Sequence, residues 1–284
     1  MKITSIHCGY FKLDGGAMFG VVPRKMWSKM NPPDEQNMCT WALRALLVQT
    51  KRRNILFDTG IGNKQDDKFR SHFQPFGDEN LFTSLEKAGV KRSDITDVFL
   101  THLHFDHCGG ALWKNERTGV VELAFPNATY WSNERHYNWA VLPNEREKAS
   151  FLKENFEPLR QMERLKFLPV KQNVEFLPGI KVLFTYGHTE AMMIPVIDVN
   201  GKKVVYCADT LPSQWHVGMP YVMAYDIRPL QTLKEKAVLL KKAVRNQYIM
   251  FFEHDPVAEA CTLELDTNGR VVLSRLGKLE DLLD

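Results

Sequence analysis

Residues 101–110 read Thr-His-Leu-His-Phe-Asp-His-Cys-Gly-Gly, which places His102, His104, Asp106 and His107 within six positions of a chain that has nine histidines. Neutral imidazole and carboxylate together form a donor set for zinc, manganese, iron or cobalt. Four such groups at this spacing can serve two adjacent ions, and the density argues against a merely His-rich polar turn. One segment cannot complete such a site. Three lone ligand-type residues follow apolar runs elsewhere: His188 in Gly187-His188-Thr189, Asp209 in Ala208-Asp209-Thr210, and His254 in Glu253-His254-Asp255. Each is weak alone. Strand-to-loop junctions are where a scaffold presents chemistry, so their joint occurrence carries weight. No G-x-S-x-G nucleophile motif competes.

The elements that must position these residues are strands. Ile3–Leu13, Trp41–Thr50, Asn54–Thr59 and Asp97–Thr101 have strand-like patterns, and the last runs directly into the cluster. His102 and His104, two apart at a strand end, leave on the same side. Gly109-Gly110 is expected to permit a tight backbone that starts a helix, with Cys108 opening it. Phe82–Ala88 reads as a helix closed by Gly89, and Asn133–Ala140 and Arg146–Arg164 as helical regions. A second strand group follows at Val174–Leu177, Lys181–Tyr186, Met192–Val199 and Lys203–Ala208, with a hairpin turn at Asn200-Gly201. Leu233–Arg245 reads as a helix, Tyr248–Phe252 as a strand, and Thr262–Leu265 with Val271–Ser274 as a hairpin turning at Asn268-Gly269. Two strand groups with helical segments imply a layered α/β protein, taken as a single domain over residues 1–284. The stretch at about 14–40 holds Met18, Phe19, Met26, Trp27, Met30, Pro32 and Pro33. It is too rich in Gly and Pro for one regular element and too apolar for a solvated loop. It reads as an insert packed over the core, or as a lid or partner surface, a homodimer interface included.

Composition narrows the partners. With 37 basic against 34 acidic residues the net charge is +3, which gives no electrostatic case for nucleic acid. No apolar run approaches a membrane span, and the first ten residues lack the apolar core of a signal peptide. Five scattered cysteines without a CxxC pair suit a reducing compartment, so a cytoplasmic location away from membranes is expected.

Thr-His-Leu-His-Phe-Asp-His at 101–107, Gly-His-Thr at 187–189, Ala-Asp at 208–209, His-Asp at 254–255 and Asp-Thr-Gly at 58–60 resemble the motifs of the metallo-β-lactamase superfamily, in the expected order over nearly the whole chain. The resemblance implies a four-layer αββα sandwich with a dinuclear site at one edge of the paired sheets. Carried over residue by residue, it implies that His102, His104 and His188 hold one metal, that Asp106, His107 and His254 hold a second, and that Asp209 bridges both. Asp58 would lie behind the site and fix the tautomer of a ligand imidazole. The implied cofactors are two divalent ions, zinc first, with manganese, iron or cobalt as alternatives. The chain departs from the pattern where the superfamily often has Gly-His-Thr-Pro-Gly-His. Here Glu190, Ala191 and Met192 follow Thr189, so the ligand is kept while a different turn shape is expected.

Two adjacent metals lower the pKa of a shared water toward neutrality. The implied chemistry is hydrolysis, with Asp209 and Asp106 as the catalytic carboxylates and Asp106 passing a proton to the leaving group. Asp-Gly-Gly-Ala-Met-Phe-Gly at 14–20, the segment 219–226 and Phe-Phe-Glu-His-Asp at 251–255 resemble the branch that contains N-acyl-homoserine lactonases and methyl parathion hydrolase. That implies a lactone or carboxylic ester, a small molecule with an apolar portion lined by Met18, Phe19 and Trp27. Lactonases of that branch place a tyrosine just after the bridging aspartate. Residues 210–216 contain none, which leaves His216, Tyr221 and Tyr225 as candidates. The alternatives are organophosphate or phosphodiester hydrolysis and, in another class, a di-iron oxygen-binding protein without hydrolase activity.

Overall fold

Short apolar runs bounded by Asp, Asn and Gly become the strands of this protein. The computed structural model describes residues 1–284. The strands are β1 (Lys2–Asp14), β2 (Met38–Gln49), β3 (Asn54–Phe57), β4 (Asp97–Phe99), β5 (Leu112–Lys114), β6 (Val121–Leu123), β7 (Thr129–Asn133), β8 (Leu165–Leu168), β9 (Val174–Leu177), β10 (Ile180–Thr185), β11 (Met192–Val199), β12 (Lys202–Tyr206), β13 (Ile249–Phe251), β14 (Ala260–Leu265) and β15 (Val271–Gly277). The helices are α1 (Gly15–Phe19), α2 (Arg24–Trp27), α3 (Asp67–Phe73), α4 (Leu81–Lys87), α5 (Phe105–Cys108), α6 (Glu134–Val141), α7 (Glu157–Gln161), α8 (Pro229–Arg245) and α9 (Leu279–Leu283). The chain forms two compact units, residues 1–9 with 43–174 and residues 10–42 with 175–284, and passes between them three times, within β1, within β2 and at the start of β9.

The first unit is built on a sheet ordered β1-β2-β3-β4-β7-β8. β3 from Ile55 onward and all of β4 are buried, and the two pair in parallel, as strands without polar alternation should. Their register sets Phe57 opposite Phe99, and the two rings pack at 5.1 Å. Below them Ile6, Leu47, Leu56, Val98, Leu100 and Tyr130 lie in one buried core. β7 and β8 extend the sheet in parallel but carry polar residues such as Ser132 and Lys166, so neither shows the strand pattern in sequence. The helical region expected over Arg146–Arg164 is broken into a turn, a 3-10 turn at Lys153–Asn155 and the five-residue α7. Pro158 sits in the first turn of α7, where it needs no donor, and could not sit deeper in a longer helix.

α5 ends at Cys108, and a 3-10 turn over Gly109–Ala111 opens there with Cys108 at its N-cap, where Gly109 has an ordinary helical φ of −59°. What requires glycine is space. A Cβ on Gly109 would lie 2.2 Å from the Ile61 carbonyl oxygen, and one on Gly110 would lie 2.2 Å from that of Thr59. The loop after β3 therefore packs backbone to backbone on the loop after β4. We expect Gly110→Ala to destabilise the protein by about 2–3 kcal/mol, because neither backbone can yield without moving the other. Denaturant unfolding of the purified variant measures this directly.

The second unit is built on a sheet ordered β15-β14-β13-β12-β11-β10-β9. β11 is antiparallel to both β10 and β12, and β12 is parallel to β13, so β10, β12 and β13 all run the same way. The hairpin between β11 and β12 closes with Val199 opposite Lys202. α8 begins at Pro229 rather than Leu233, with the proline at the helix start. The stretch at 14–40 contains α1, α2 and the start of β2, so it is partly regular. No helix is long and apolar enough to cross a membrane.

Candidate metal centre

In the first unit the parallel register of β3 and β4 brings two loops out side by side. Asp58 follows β3 with a left-handed φ of 57°, a conformation that aspartate tolerates better than most residues. Its N–H donates to the Phe99 carbonyl at 2.9 Å, which fastens the two strand ends. The Asp58 carboxylate is fully buried. It accepts from the Thr101 N–H at 2.7 Å and the Thr101 hydroxyl at 2.6 Å, and it lies 3.2 Å from His107 Nδ1. Because the Thr101 proton goes to Asp58, the Thr101 oxygen is left to accept from His102 Nδ1, 3.1 Å away. Both imidazoles thereby carry their proton on Nδ1 and keep the Nε2 lone pair for a ligand.

His104 is turned the other way. Its Nδ1 lies 3.1 Å from His102 Nε2. Two imidazole nitrogens on one tetrahedral zinc would stand about 3.3 Å apart, given bonds of about 2.0–2.1 Å. Asp106 Oδ2 lies 3.7 Å from His107 Nε2. All four residues are buried. The backbone between the two histidines is held by His136, whose Nε2 accepts from the Leu103 N–H at 2.9 Å.

The second unit presents a matching arrangement at the ends of β10, β12 and β13. His188, Asp209 and His254 each stand three residues past the last residue of a strand, as His102 does past Phe99 in the first unit. Asp209 Oδ2 lies 3.1 Å from His188 Nε2, and Oδ1 lies 3.2 Å from His254 Nε2. The outer nitrogens are both engaged: His188 Nδ1 with Asp226 Oδ1 at 2.9 Å, and His254 Nδ1 with the Ala42 carbonyl at 2.9 Å. Burial pushes the pKa of His188 down, but Asp209 and Asp226, one at each ring nitrogen, outweigh it and raise it to about 10. A proton therefore occupies His188 in the metal-free chain, and a metal would have to displace it.

The turn that departs from the superfamily pattern keeps its conformation by other means. Ala191 stands where glycine is common and takes a left-handed φ of 51°. Glu190, buried, accepts from Arg228 Nη2 at 2.8 Å, while Arg228 Nη1 donates to the Tyr186 carbonyl at 2.8 Å. Glu235 on α8 accepts from the Tyr186 and Gly187 N–H groups at 2.9–3.0 Å. Thr232 packs so closely on Gly187 that a Cβ there would meet its hydroxyl at 2.2 Å. An ion pair and a helix thus hold the His188 turn to its strained shape.

Of the residues expected to line a pocket, Met18, Phe19, Trp27, His216 and Tyr221 pack together in the second unit. Phe19 stacks on Trp27 at 5.4 Å and on His216 at 5.4 Å, and Tyr221 meets it edge-on at 6.2 Å. Met18, Phe19, Trp27 and His216 are each 2% exposed or less, whereas Tyr221 and Tyr225 are half-buried. His216 donates from Nε2 to the Met18 carbonyl at 2.9 Å and accepts the Ser213 hydroxyl on Nδ1 at 2.7 Å. Lys236 on α8, fully buried, secures the next loop by donating to the Gly218 and Tyr221 carbonyls at 2.7 and 2.8 Å. Sequence reasoning missed Asp226, Arg228, Glu235 and Lys236 as positioning groups. Only Asp226 carried a signal, at the end of the segment 219–226.

The molecule is a mixed α/β protein whose buried His/Asp clusters fit a divalent-metal centre. Residues 44–254 match the metallo-β-lactamase superfamily, and the chain belongs to that superfamily as a metal-dependent hydrolase. It is 24% identical over 243 residues to an N-acyl homoserine lactonase of Bacillus cereus, covering 80% of this chain and 86% of the relative. A probable metal-dependent hydrolase from Staphylococcus aureus has the same fold, with a TM-score of 0.85 and 29% identity over 96% of this chain and 97% of that one. AidC, a dizinc quorum-quenching lactonase solved with a product, aligns with a TM-score of 0.74 and 22% identity over 96% and 93% of the two chains.

Burial pushes His216 down to about 3, an effect that its bond to Met18 opposes and Lys236 reinforces. The folded chain thus keeps this ring neutral where the unfolded chain protonates it, from about pH 6.5 downward. Stability associated with His216 is complete above that pH and is lost as the pH falls toward 3. We expect His216→Gln to lose about 2–3 kcal/mol less stability than the unaltered protein between pH 6.5 and pH 4. Urea unfolding at both pH values tests it, and equal losses would refute the assignment.

Proposed function

We propose that the two sets of ligands serve one dinuclear centre within a single catalytic domain. His102, His104 and His188 would hold one divalent ion, Asp106, His107 and His254 would hold the other, and Asp209 would serve both. The observation that carries this reading is Asp209, whose two oxygens face two different imidazoles at 3.1 and 3.2 Å. The donor set favours zinc. Two such ions, when bound, supply a hydroxide nucleophile at neutral pH and polarise a carbonyl oxygen.

The chain's own residues hold and move protons around that chemistry. Asp58, Thr101, Asp226 and the Ala42 carbonyl keep the protons of four ligand imidazoles on their outer nitrogens. As the nucleophile's oxygen bonds to the carbonyl carbon and the C–O bond to the leaving group breaks, Asp106 would take the proton that oxygen gives up and pass it to the leaving alkoxide. The substrate class we infer is a lactone or carboxylic ester with an apolar portion. This reading is supported by similarity to an N-acyl homoserine lactonase over 80% of the chain. The five cysteines are free thiols, which supports a reducing, cytoplasmic setting.

Two experiments test the proposal together. His104→Ala and Asp209→Ala are expected to lose both bound metal and turnover, and an unaltered rate in a metal-depleted variant would refute it. A screen of lactones, aryl esters and phosphotriesters, with zinc, manganese, iron or cobalt reloaded, is expected to give the highest kcat/KM on a lactone. Faster turnover of a phosphotriester would overturn the substrate class while leaving the metal centre intact.

A further inference from the structure

Four of the five ligand imidazoles are oriented by Thr101, Asp58, Asp226 and the Ala42 carbonyl. His104 differs, because its outward nitrogen is Nε2. That nitrogen faces Glu147 Oε1 at 3.6 Å. We propose that Glu147 is the positioning residue of His104 and sets the affinity of the metal that His102 and His104 help to hold. This inference rests on the dinuclear reading above.

Glu147 is 2% exposed. A carboxylate in that environment is costly unless its oxygens are satisfied. Oε2 accepts from Trp139 Nε1 at 2.8 Å and from Asn144 Nδ2 at 2.7 Å. Those donors fix the carboxylate plane and leave Oε1 aimed at His104. The rest of the segment is fastened around the same residue. The Ser150 carbonyl accepts from the Phe105 N–H at 2.9 Å, and the Phe151 ring packs on the His104 ring at 4.6 Å. At 3.6 Å the contact is about 0.7 Å longer than a normal N–H···O hydrogen bond, so the carboxylate acts on the imidazole across ion-pair range. An imidazole N–H held by a carboxylate is a stronger ligand through its other nitrogen than one held by a neutral acceptor. Asp58 and Asp226 do this for His107 and His188, and Glu147 would complete the set for His104.

A purely structural role for Glu147, closing the turn against Trp139, predicts a different outcome. Zinc affinity is measured by competition with a chromophoric chelator on the full chain, for the unaltered protein, Glu147→Gln and Trp139→Phe. We expect Glu147→Gln to weaken one of two zinc sites by about 10–100-fold and leave the other unchanged. Trp139→Phe, which removes one of the two donors to Oε2 but keeps the carboxylate, should weaken the same site less than Glu147→Gln does and leave the other unchanged. Two full-affinity sites in Glu147→Gln, or equal weakening in both variants, would overturn the proposal. If Glu147→Gln does not fold, Glu147→Asp serves instead: a smaller loss at one site supports the proposal and unchanged affinity refutes it. An unaltered chain that binds fewer than two zinc ions would remove the dinuclear reading, and this inference with it. Two tight ions in both the unaltered chain and Glu147→Gln would remove this inference alone.

Discussion

An imidazole binds a metal through a nitrogen that has a free lone pair, so its other nitrogen must keep the proton and that proton needs an acceptor. This requirement organises both units. Each of the five candidate histidines is buried, and each has one nitrogen facing an oxygen: a hydroxyl for His102, carboxylates for His104, His107 and His188, and a backbone carbonyl for His254. Asp58 holds His107 directly and His102 through Thr101. Its left-handed backbone conformation and complete burial follow from that double duty.

Strand register supplies the precision. Parallel pairing of β3 with β4, and of β12 with β13, ends neighbouring strands at the same level. Loops of equal offset then bring His102 forward in one unit, and His188, Asp209 and His254 in the other. A slip of one residue in any of these ladders would turn the side chains to the opposite face. The packed backbones at Gly109 and Gly110 guard against such slippage in the first unit, since no side chain fits between the two loops. In the second unit Glu190, Arg228 and Glu235 hold the His188 turn in place of the Pro-Gly pair common in the superfamily.

The ligand-type residues were legible in the sequence because a metal site needs a restricted donor set. Imidazole and carboxylate at strand ends stand out against an ordinary composition. Most strands were legible too, since short apolar runs such as Asn54–Phe57 and Ile249–Phe251 have few other uses. β7 and β8 were not, because β7 ends in Ser132 and Asn133, β8 is only four residues interrupted by Lys166, and pairing in the sheet is what makes both strands. The helix expected over 146–164 was misread for the opposite reason. Its charged residues suggest helix, but Pro158 and the contacts around His104 divide it.

The sequence by itself determined the kind of chemistry, because side-chain type and spacing settle which atoms can bind a metal. It also determined where glycine stands, but not why. The acceptors behind the imidazoles were decided only in the tertiary structure: Asp226 lies 38 positions from His188, and the Ala42 carbonyl lies 212 from His254. Glu147, in the charged run Glu145–Lys148, looks like any solvated surface residue until folding buries it against Trp139 and His104. A hydrogen-bond partner is chosen by proximity in space, and a linear pattern holds no record of proximity across such separations.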